Sequence, residues 1–155
     1  MPQESTYGGW ASSGEIDVVE ARGHQPDRVV GALHYGSRWP ENTHIANDHI
    51  LPNSGKITDF HRYAVEWEPD VIRWYVDDVC YATQTFWWSG NKTDGSRGLA
   101  PKSEADLNPW PAPFNHLFYI IMNVAVGGNW PGPPDDSTSF PQRMEVDWVR
   151  VYQPS

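Results

Sequence analysis

Three carboxylates stand close together near the start of the chain, in the segment Gly14–Glu20, which reads Gly-Glu-Ile-Asp-Val-Val-Glu. In a β-strand successive side chains alternate between the two faces of the sheet, so Glu15 and Asp17 share one face. Glu20 breaks this alternation and would point to the opposite face of a regular strand. A β-bulge that accommodates an extra residue at Val18-Val19 would return Glu20 to the Glu15 side.

Carboxylates that share a face repel one another and raise at least one pKa, which favours a functional use. Two such groups beside exposed tryptophans suggest glycoside hydrolysis, where one carboxylate attacks the anomeric carbon and another protonates the departing oxygen. Because about 13 Å of extended chain separates the first and last acids, only a concave strand would bring them to the roughly 5 Å of a retaining mechanism. An acidic strand that binds nothing, or a cation site, remains open at this point.

Composition narrows the function classes. The 155 residues, 39% hydrophobic with nine Trp, suffice for one domain, and a formal charge of -9 disfavours a nucleic-acid partner. No stretch has the length of a membrane span, and the N-terminus lacks the regions of a signal peptide. Cys80 is the only cysteine, so no intramolecular disulfide is predicted. Fourteen Pro, thirteen Gly and 14% aromatic residues favour a β protein with many turns and suit the stacking of sugar rings.

Alternating and apolar runs predict the further strands. A polar loop with Trp39 and Pro40 is expected after the second strand, and the three central runs should form an antiparallel meander with tight turns. The penultimate run is apolar except for Asn123 and is predicted to be a buried strand. No stretch has a helical period. The predicted strands after the acidic one are 29–35, 60–67, 71–76, 79–82, 116–126 and 144–152.

Aromatic and histidine side chains supply further candidates. Trp10 is either a core residue or a platform under a sugar, and His34 could face the same cleft as the acids. Residues 89–113 are predicted to be a surface loop, with Trp87, Trp88 and Trp110 lining an outer part of a binding groove, and they include a weak glycosylation sequon at 91–93. The spacing of the remaining histidines in the first half matches no compact metal-ligand motif.

The acidic segment Glu15–Glu20 resembles the bulged signature of glycoside hydrolase family 16, as found in laminarinases (endo-β-1,3-glucanases). Similar motifs run along the whole chain: Tyr-Gly-Gly-Trp at 7–10, Leu-His-Tyr-Gly at 33–36, Phe-His-Arg-Tyr-Ala-Val-Glu-Trp at 60–67, Asn-Val-Ala-Val-Gly-Gly-Asn-Trp-Pro-Gly at 123–132 and Val-Asp-Trp-Val-Arg-Val-Tyr at 146–152. The resemblance implies an all-β fold, a concanavalin-like β-jelly-roll sandwich of two curved antiparallel sheets.

The same resemblance implies the roles of individual residues. Glu15 would be the nucleophile and Glu20 the general acid/base of a retaining reaction, with Asp17 hydrogen-bonded to Glu15 between them. No cofactor is required for such catalysis. The family often carries a structural calcium, and Asp147 matches an acid that binds it. Sugar contacts are expected from Trp10, His34, Trp39, Asn123 and Trp130.

In the family the signature lies near the middle of a longer domain, whereas here it begins at residue 15. Residues 1–155 are therefore expected to be the C-terminal portion of a single catalytic domain that lacks its N-terminal part, with sheet edges left unpaired. The expected partner is a β-glucan, with no protein partner implied, and the family implies secretion although no signal peptide is visible. The alternatives are a family 16 activity on agar or carrageenan galactans, and a β-glucan-binding module without catalysis.

Overall fold

The computed structural model describes residues 1–90 and 100–153. They form an all-β chain with two three-stranded antiparallel sheets, as the sequence predicts. The first sheet has the order β1-β2-β3, and the second has the order β4-β5-β6. The strands are β1 (Glu15–Glu20), β2 (Arg28–Tyr35), β3 (Thr43–Ile50), β4 (Tyr63–Glu68), β5 (Val71–Val76) and β6 (Val79–Gln84), with single 3-10 turns at Pro52–Ser54 and Glu104–Asp106.

The chain divides into two compact units, Met1–Ile120 and Ile121–Ser155. All six strands lie in the first unit. In the second unit, a turn is closed by the hydrogen bond from the amide of Gly132 to the carbonyl of Gly128 at 3.0 Å. Within the described ranges, no helix is long and apolar enough to cross a membrane.

The core of the first unit lies between the sheets. Alternate residues of β2 point toward the second sheet, and Leu33 and Tyr35 pack there with Ile72 and Trp74 of β5. A smaller cluster joins Val29, Leu51 and Val76. Because β2 buries these side chains on one face, packing fixes the position of the strand, and its other face points away from the second sheet. That other face is the one shared with the acids of β1.

The central meander is confirmed. Strand β4 pairs with β5 along its whole length, from Tyr63 opposite Val76 to Glu68 opposite Val71, and β5 pairs with β6. Asp77 and Asp78 have φ angles of 47° and 69°, so the β5–β6 connection is a two-residue turn of the kind that fits the twist of a hairpin. The third strand of the meander was predicted to end at residue 82, and β6 ends two residues later, at Gln84.

No strand was predicted for the segment of β3, which follows the predicted polar loop with Trp39 and Pro40. Its residues read Thr-His-Ile-Ala-Asn-Asp-His-Ile and alternate strictly between half-buried and exposed. It pairs with β2 along its whole length, from Arg28–Ile50 to Tyr35–Thr43. Only Ile45 and Ile50 are large apolar residues, so the hydrophobic pattern alone gave too weak a signal.

Two strand predictions are wrong. Segments 116–126 and 144–152 contain no assigned strand, and most of their apolar side chains are exposed, as with Leu117 at 71% and Val151 at 77%. The only ladder contact assigned to either segment among the described residues is an isolated bridge from Phe118 to Pro2. A strand requires main-chain hydrogen bonds from a neighbour, and an apolar sequence does not supply them.

The prediction that Trp87 lines a groove beside the loop 89–113 is wrong. Trp87 is buried at 1% exposure and packs against Phe114, so it cannot line a groove. Its indole donates a hydrogen bond to the carbonyl of Pro111 at 2.8 Å. Trp110 stacks on Trp87 with ring centroids 4.5 Å apart and stays 47% exposed. The sequon at 91–93 lies outside the described residues.

Candidate active site

The predicted bulge lies in β1 where the sequence places it. Asp17 pairs with Ala32 and Glu20 pairs with Val30, so the two residues Val18 and Val19 oppose the single residue Gly31. This extra residue restores Glu20 to the face that carries Glu15 and Asp17. The three carboxyl groups therefore lie on one face of the first sheet.

That face continues across the neighbouring strands, because directly paired residues of antiparallel strands share a face. Three cross-strand rows result: Glu15–His34–His44, Asp17–Ala32–Ala46 and Glu20–Val30–Asp48. His44 and Asp48 thus join the face of the acids. Neither was predicted to be a site residue, because no strand was predicted at β3; the alternation of that segment was the available signal.

Aromatic rings border the Glu15 end of the rows. The indole Nε1 of Trp10 donates a hydrogen bond to Oε2 of Glu15. Its ring lies 5.4 Å from His34, and His34 stacks on His44 at 5.3 Å with an interplanar angle of 21°. The backbone amide of Trp39 donates to the carbonyl of Trp10 at 2.9 Å, and the Trp39 side chain is 68% exposed. Two of the five predicted sugar contacts, Trp10 and His34, therefore lie beside Glu15, and Trp39 is joined to Trp10 through its main chain.

The carboxyl of Asp17 is the most perturbed group of the face. Burial, followed by the negative charges of Glu15 and Glu20 and a hydrogen bond with the Glu15 side chain, raises the pKa of Asp17 to about 8. At neutral pH Asp17 therefore holds a proton. A protonated carboxyl can donate a hydrogen bond to its neighbour, which is the contact expected between Asp17 and Glu15.

Glu20 is shifted in the same direction. Burial and the charge of Glu15 raise its pKa, and His44 opposes them. The negative charge of Glu15 is a cause of both shifts, so it favours the protonated forms of Asp17 and Glu20. A carboxyl whose pKa is raised by its surroundings is suited to donate a proton.

His34 meets Asp17 at 3.4 Å between Nε2 and Oδ2. The distance is that of an ion pair, yet the charge states argue otherwise. Burial lowers the pKa of the His34 ring, opposed by Glu15, while the pKa of Asp17 is raised. We therefore interpret the contact as one between two neutral groups on the sheet face that carries the acids.

The other predicted site residues lie in the second unit. Asn123 and Trp130 lie in its first part, and Asp147 lies near its end. Nowhere in the described ranges do three His, Cys, Asp or Glu side chains form a group that could hold a metal ion. A calcium role for Asp147, like the sugar contacts of Asn123 and Trp130, stays a prediction.

Residues 3–95 match the family model of the glycosyl hydrolases family 16. The chain belongs to this family. It is 43% identical over 157 residues to glucan endo-1,3-beta-glucosidase A1 of Niallia circulans, covering 99% of this chain and 21% of that protein. It is 39% identical over 164 residues to a beta-glucanase of Rhodothermus marinus, covering 99% of this chain and 50% of that protein.

A solved structure has the same fold. The catalytic domain of an endo-1,3-beta-glucanase (laminarinase) from Thermotoga petrophila superposes with a TM-score of 0.64 at 32% identity, covering 90% of this chain and 49% of that one. The chain thus spans half or less of the length of these relatives. The predicted family and the all-β fold are confirmed by these matches.

Proposed function

We propose that the protein is a retaining endo-β-1,3-glucanase that cleaves internal bonds of laminarin-type or mixed-linkage β-glucans. The observation that carries the proposal is the bulge of β1, which puts Glu20 on the face of Glu15. The relatives named as glucan endo-1,3-beta-glucosidases support the substrate class. No cofactor is needed, because two carboxyl groups supply both the nucleophile and the proton.

In the first step the Glu15 carboxylate attacks the anomeric carbon while Glu20 gives its proton to the departing glycosidic oxygen. A covalent glycosyl ester on Glu15 forms, and the first half of the glucan leaves with a new hydroxyl group. In the second step Glu20, now ionised, takes a proton from water, and the water oxygen displaces Glu15 from the anomeric carbon. Glu15 returns as a carboxylate and Glu20 is protonated again.

The neighbours orient these two groups. Trp10 holds one oxygen of Glu15 with its indole N–H, and the protonated Asp17 shares a hydrogen bond with the same side chain. These contacts limit the rotation of Glu15, so that attack starts from a fixed geometry. The exposed ring of Trp39 is suited to stack on a sugar at this end of the face. Since a polysaccharide cannot cross a membrane unaided, we also propose that the protein acts outside the cell.

The test is the substitution Glu15→Ala in the purified protein. We expect laminarin hydrolysis to fall by at least about 10⁴-fold, because the nucleophile is lost, while glucan binding measured by calorimetry persists. Glu66→Ala is the matched control, since Glu66 is an exposed glutamate of the second sheet that pairs with Arg73. Its turnover should equal that of the unmodified protein.

Several outcomes would contradict the proposal. Unchanged turnover in Glu15→Ala would exclude its nucleophilic role. Release of reducing sugar from agarose rather than laminarin would favour the galactan alternative. Glucan binding without hydrolysis by the unmodified protein would identify a binding module.

A further inference from the structure

The bulge of β1 lies opposite a glycine of the neighbouring strand. Gly31 is the single residue of β2 opposite Val18 and Val19. A Cβ atom on Gly31 would lie 2.4 Å from Cδ1 of Trp74 and 2.5 Å from the hydroxyl of Tyr81. Only a glycine leaves room for these two side chains, which rise from the second sheet. The missing side chain therefore lets the second sheet reach the bulge.

Trp74 uses this gap to hold the acidic strand. The side chain of Trp74 is fully buried, and its indole Nε1 donates a hydrogen bond to the carbonyl oxygen of Asp17 at 3.0 Å. Asp17 is the last residue before the register shift. A bulge disrupts the ladder between strands, so a bond from a side chain fixes the main chain at the point where the ladder is weakest.

A second bulge aims its side chain at the same place. Trp74 pairs with Ala82 and Tyr75 pairs with Cys80, so Tyr81 is an extra residue in β6. The Tyr81 ring packs against both core clusters and stacks on His49 of β3 at 4.5 Å. Tyr81 thereby fills the space beside the Trp74 indole, which limits the positions that the indole can take.

We propose that Trp74 is a positioning residue. It packs against Gly31, is supported by Tyr81 and fixes the bulge of β1 through the carbonyl of Asp17. It thereby sets the position of Glu15 relative to Glu20. The kinetic part of this inference rests on the proposed glucanase function. The structural part does not, because it concerns the order of β1 alone. Trp74 lies on the opposite side of β1 from the substrate face and does not act on the sugar itself.

The decisive variant is Trp74→Phe, which keeps an aromatic ring in the core but removes the indole donor together with part of the ring volume. We expect kcat on laminarin to fall by about 10- to 100-fold with little change in KM, because a small displacement of reacting groups slows chemistry more than binding. Trp87→Phe is the matched control. Trp87 is equally buried in the same core cluster and donates to a backbone carbonyl, that of Pro111, outside β1. Its kcat should stay within about twofold of the unmodified protein.

Hydrogen exchange gives a readout that does not need turnover. The amides of a peptide spanning residues 15–20 should exchange at least about tenfold faster in Trp74→Phe than in the unmodified protein. Their exchange rates should be unchanged in Trp87→Phe. Equal exchange in the two variants, or an equal loss of kcat, would overturn the positioning role. If the unmodified protein cleaves no glucan, the proposed function fails, and the exchange of β1 still decides whether Trp74 orders the strand.

Discussion

Replacing Asp17 with Asn should stabilise the protein at neutral pH while impairing its activity. Asp17 is largely buried and stands between two other acids, and its pKa is raised from 3.8 to about 8. In the unfolded chain the same carboxyl loses its proton near pH 4. The folded state therefore binds a proton that the unfolded state releases. An amide at this position has nearly the same shape, can still donate a hydrogen bond to Glu15, and carries no such proton.

The sign and size of the effect follow from this difference. A carboxyl whose pKa is raised by folding contributes no destabilisation below its unfolded pKa, and the free energy of unfolding falls as pH rises toward the folded pKa. At about 1.36 kcal/mol for each pH step of one, a rise from 3.8 to about 8 sets an upper bound of about 6 kcal/mol. Because local relaxation and water entry relieve part of the repulsion, we expect Asp17→Asn to gain about 1–3 kcal/mol near pH 7.5.

The assay is urea unfolding of both proteins at pH 4 and at pH 7.5. The two should be nearly equal at pH 4, and the variant should be more stable at pH 7.5. Asp48→Asn, a change to an exposed acid on the same face of β3, is the control and should show no such growth with pH. A difference that is constant with pH, or a variant that is less stable at pH 7.5, would refute the assigned charge state of Asp17.

Two further predictions concern charged contacts of the first unit. His44→Gln removes a group that lowers the pKa of Glu20; the alkaline limb of the pH–activity profile should therefore move to higher pH, and a limb that moves to lower pH would contradict the assignment. Asp77→Ala removes a carboxylate that accepts hydrogen bonds from the backbone amide of Arg62 at 2.9 Å and from the ring of His61 at 2.7 Å. Because these contacts lower the pKa of Asp77, the variant's melting temperature should be reduced by a few degrees at pH 7. The deficit should shrink as pH falls below the folded pKa, and the part that remains is the cost of alanine at the positive φ of this position; a deficit equal at pH 2 and pH 7 would show that charge plays no part.

Local patterns were sufficient to predict the acidic strand. A break in alternation within six residues has one simple geometric solution, the bulge, and it is present at Val18 and Val19. The hairpin β4–β5 and the turn at Asp77-Asp78 are similarly local. In each case the residues that determine the geometry are neighbours in sequence, so no knowledge of distant partners was needed.

Non-local features were the ones missed. Strand β3 escaped prediction because its half-buried face carries Thr43, Asn47 and His49 beside a single large apolar residue, which weakens the apolar alternation. The opposite error occurred at 116–126, where the sequence is strongly apolar but the ladder contact among the described residues is a single bridge from Phe118 to Pro2. Trp87 was assigned to a groove because its burial depends on Phe114, which is distant in sequence. Each error concerns a contact that the local sequence does not specify.

The acids and the second sheet are physically linked in a way that explains why the site needs a sandwich. Three carboxyl groups on one face repel one another, and the simplest relief would be for the β1 main chain to twist Glu20 away at the bulge. The bulge is the place where the ladder resists such a twist least. A donor from the opposite sheet, Trp74, occupies this point. The burial and the repulsion that raise the pKa of Glu20 can therefore persist only while the core beneath β1 stays packed. Loss of that packing should return the pKa of Glu20 toward that of an ordinary carboxyl before the remaining strands unfold.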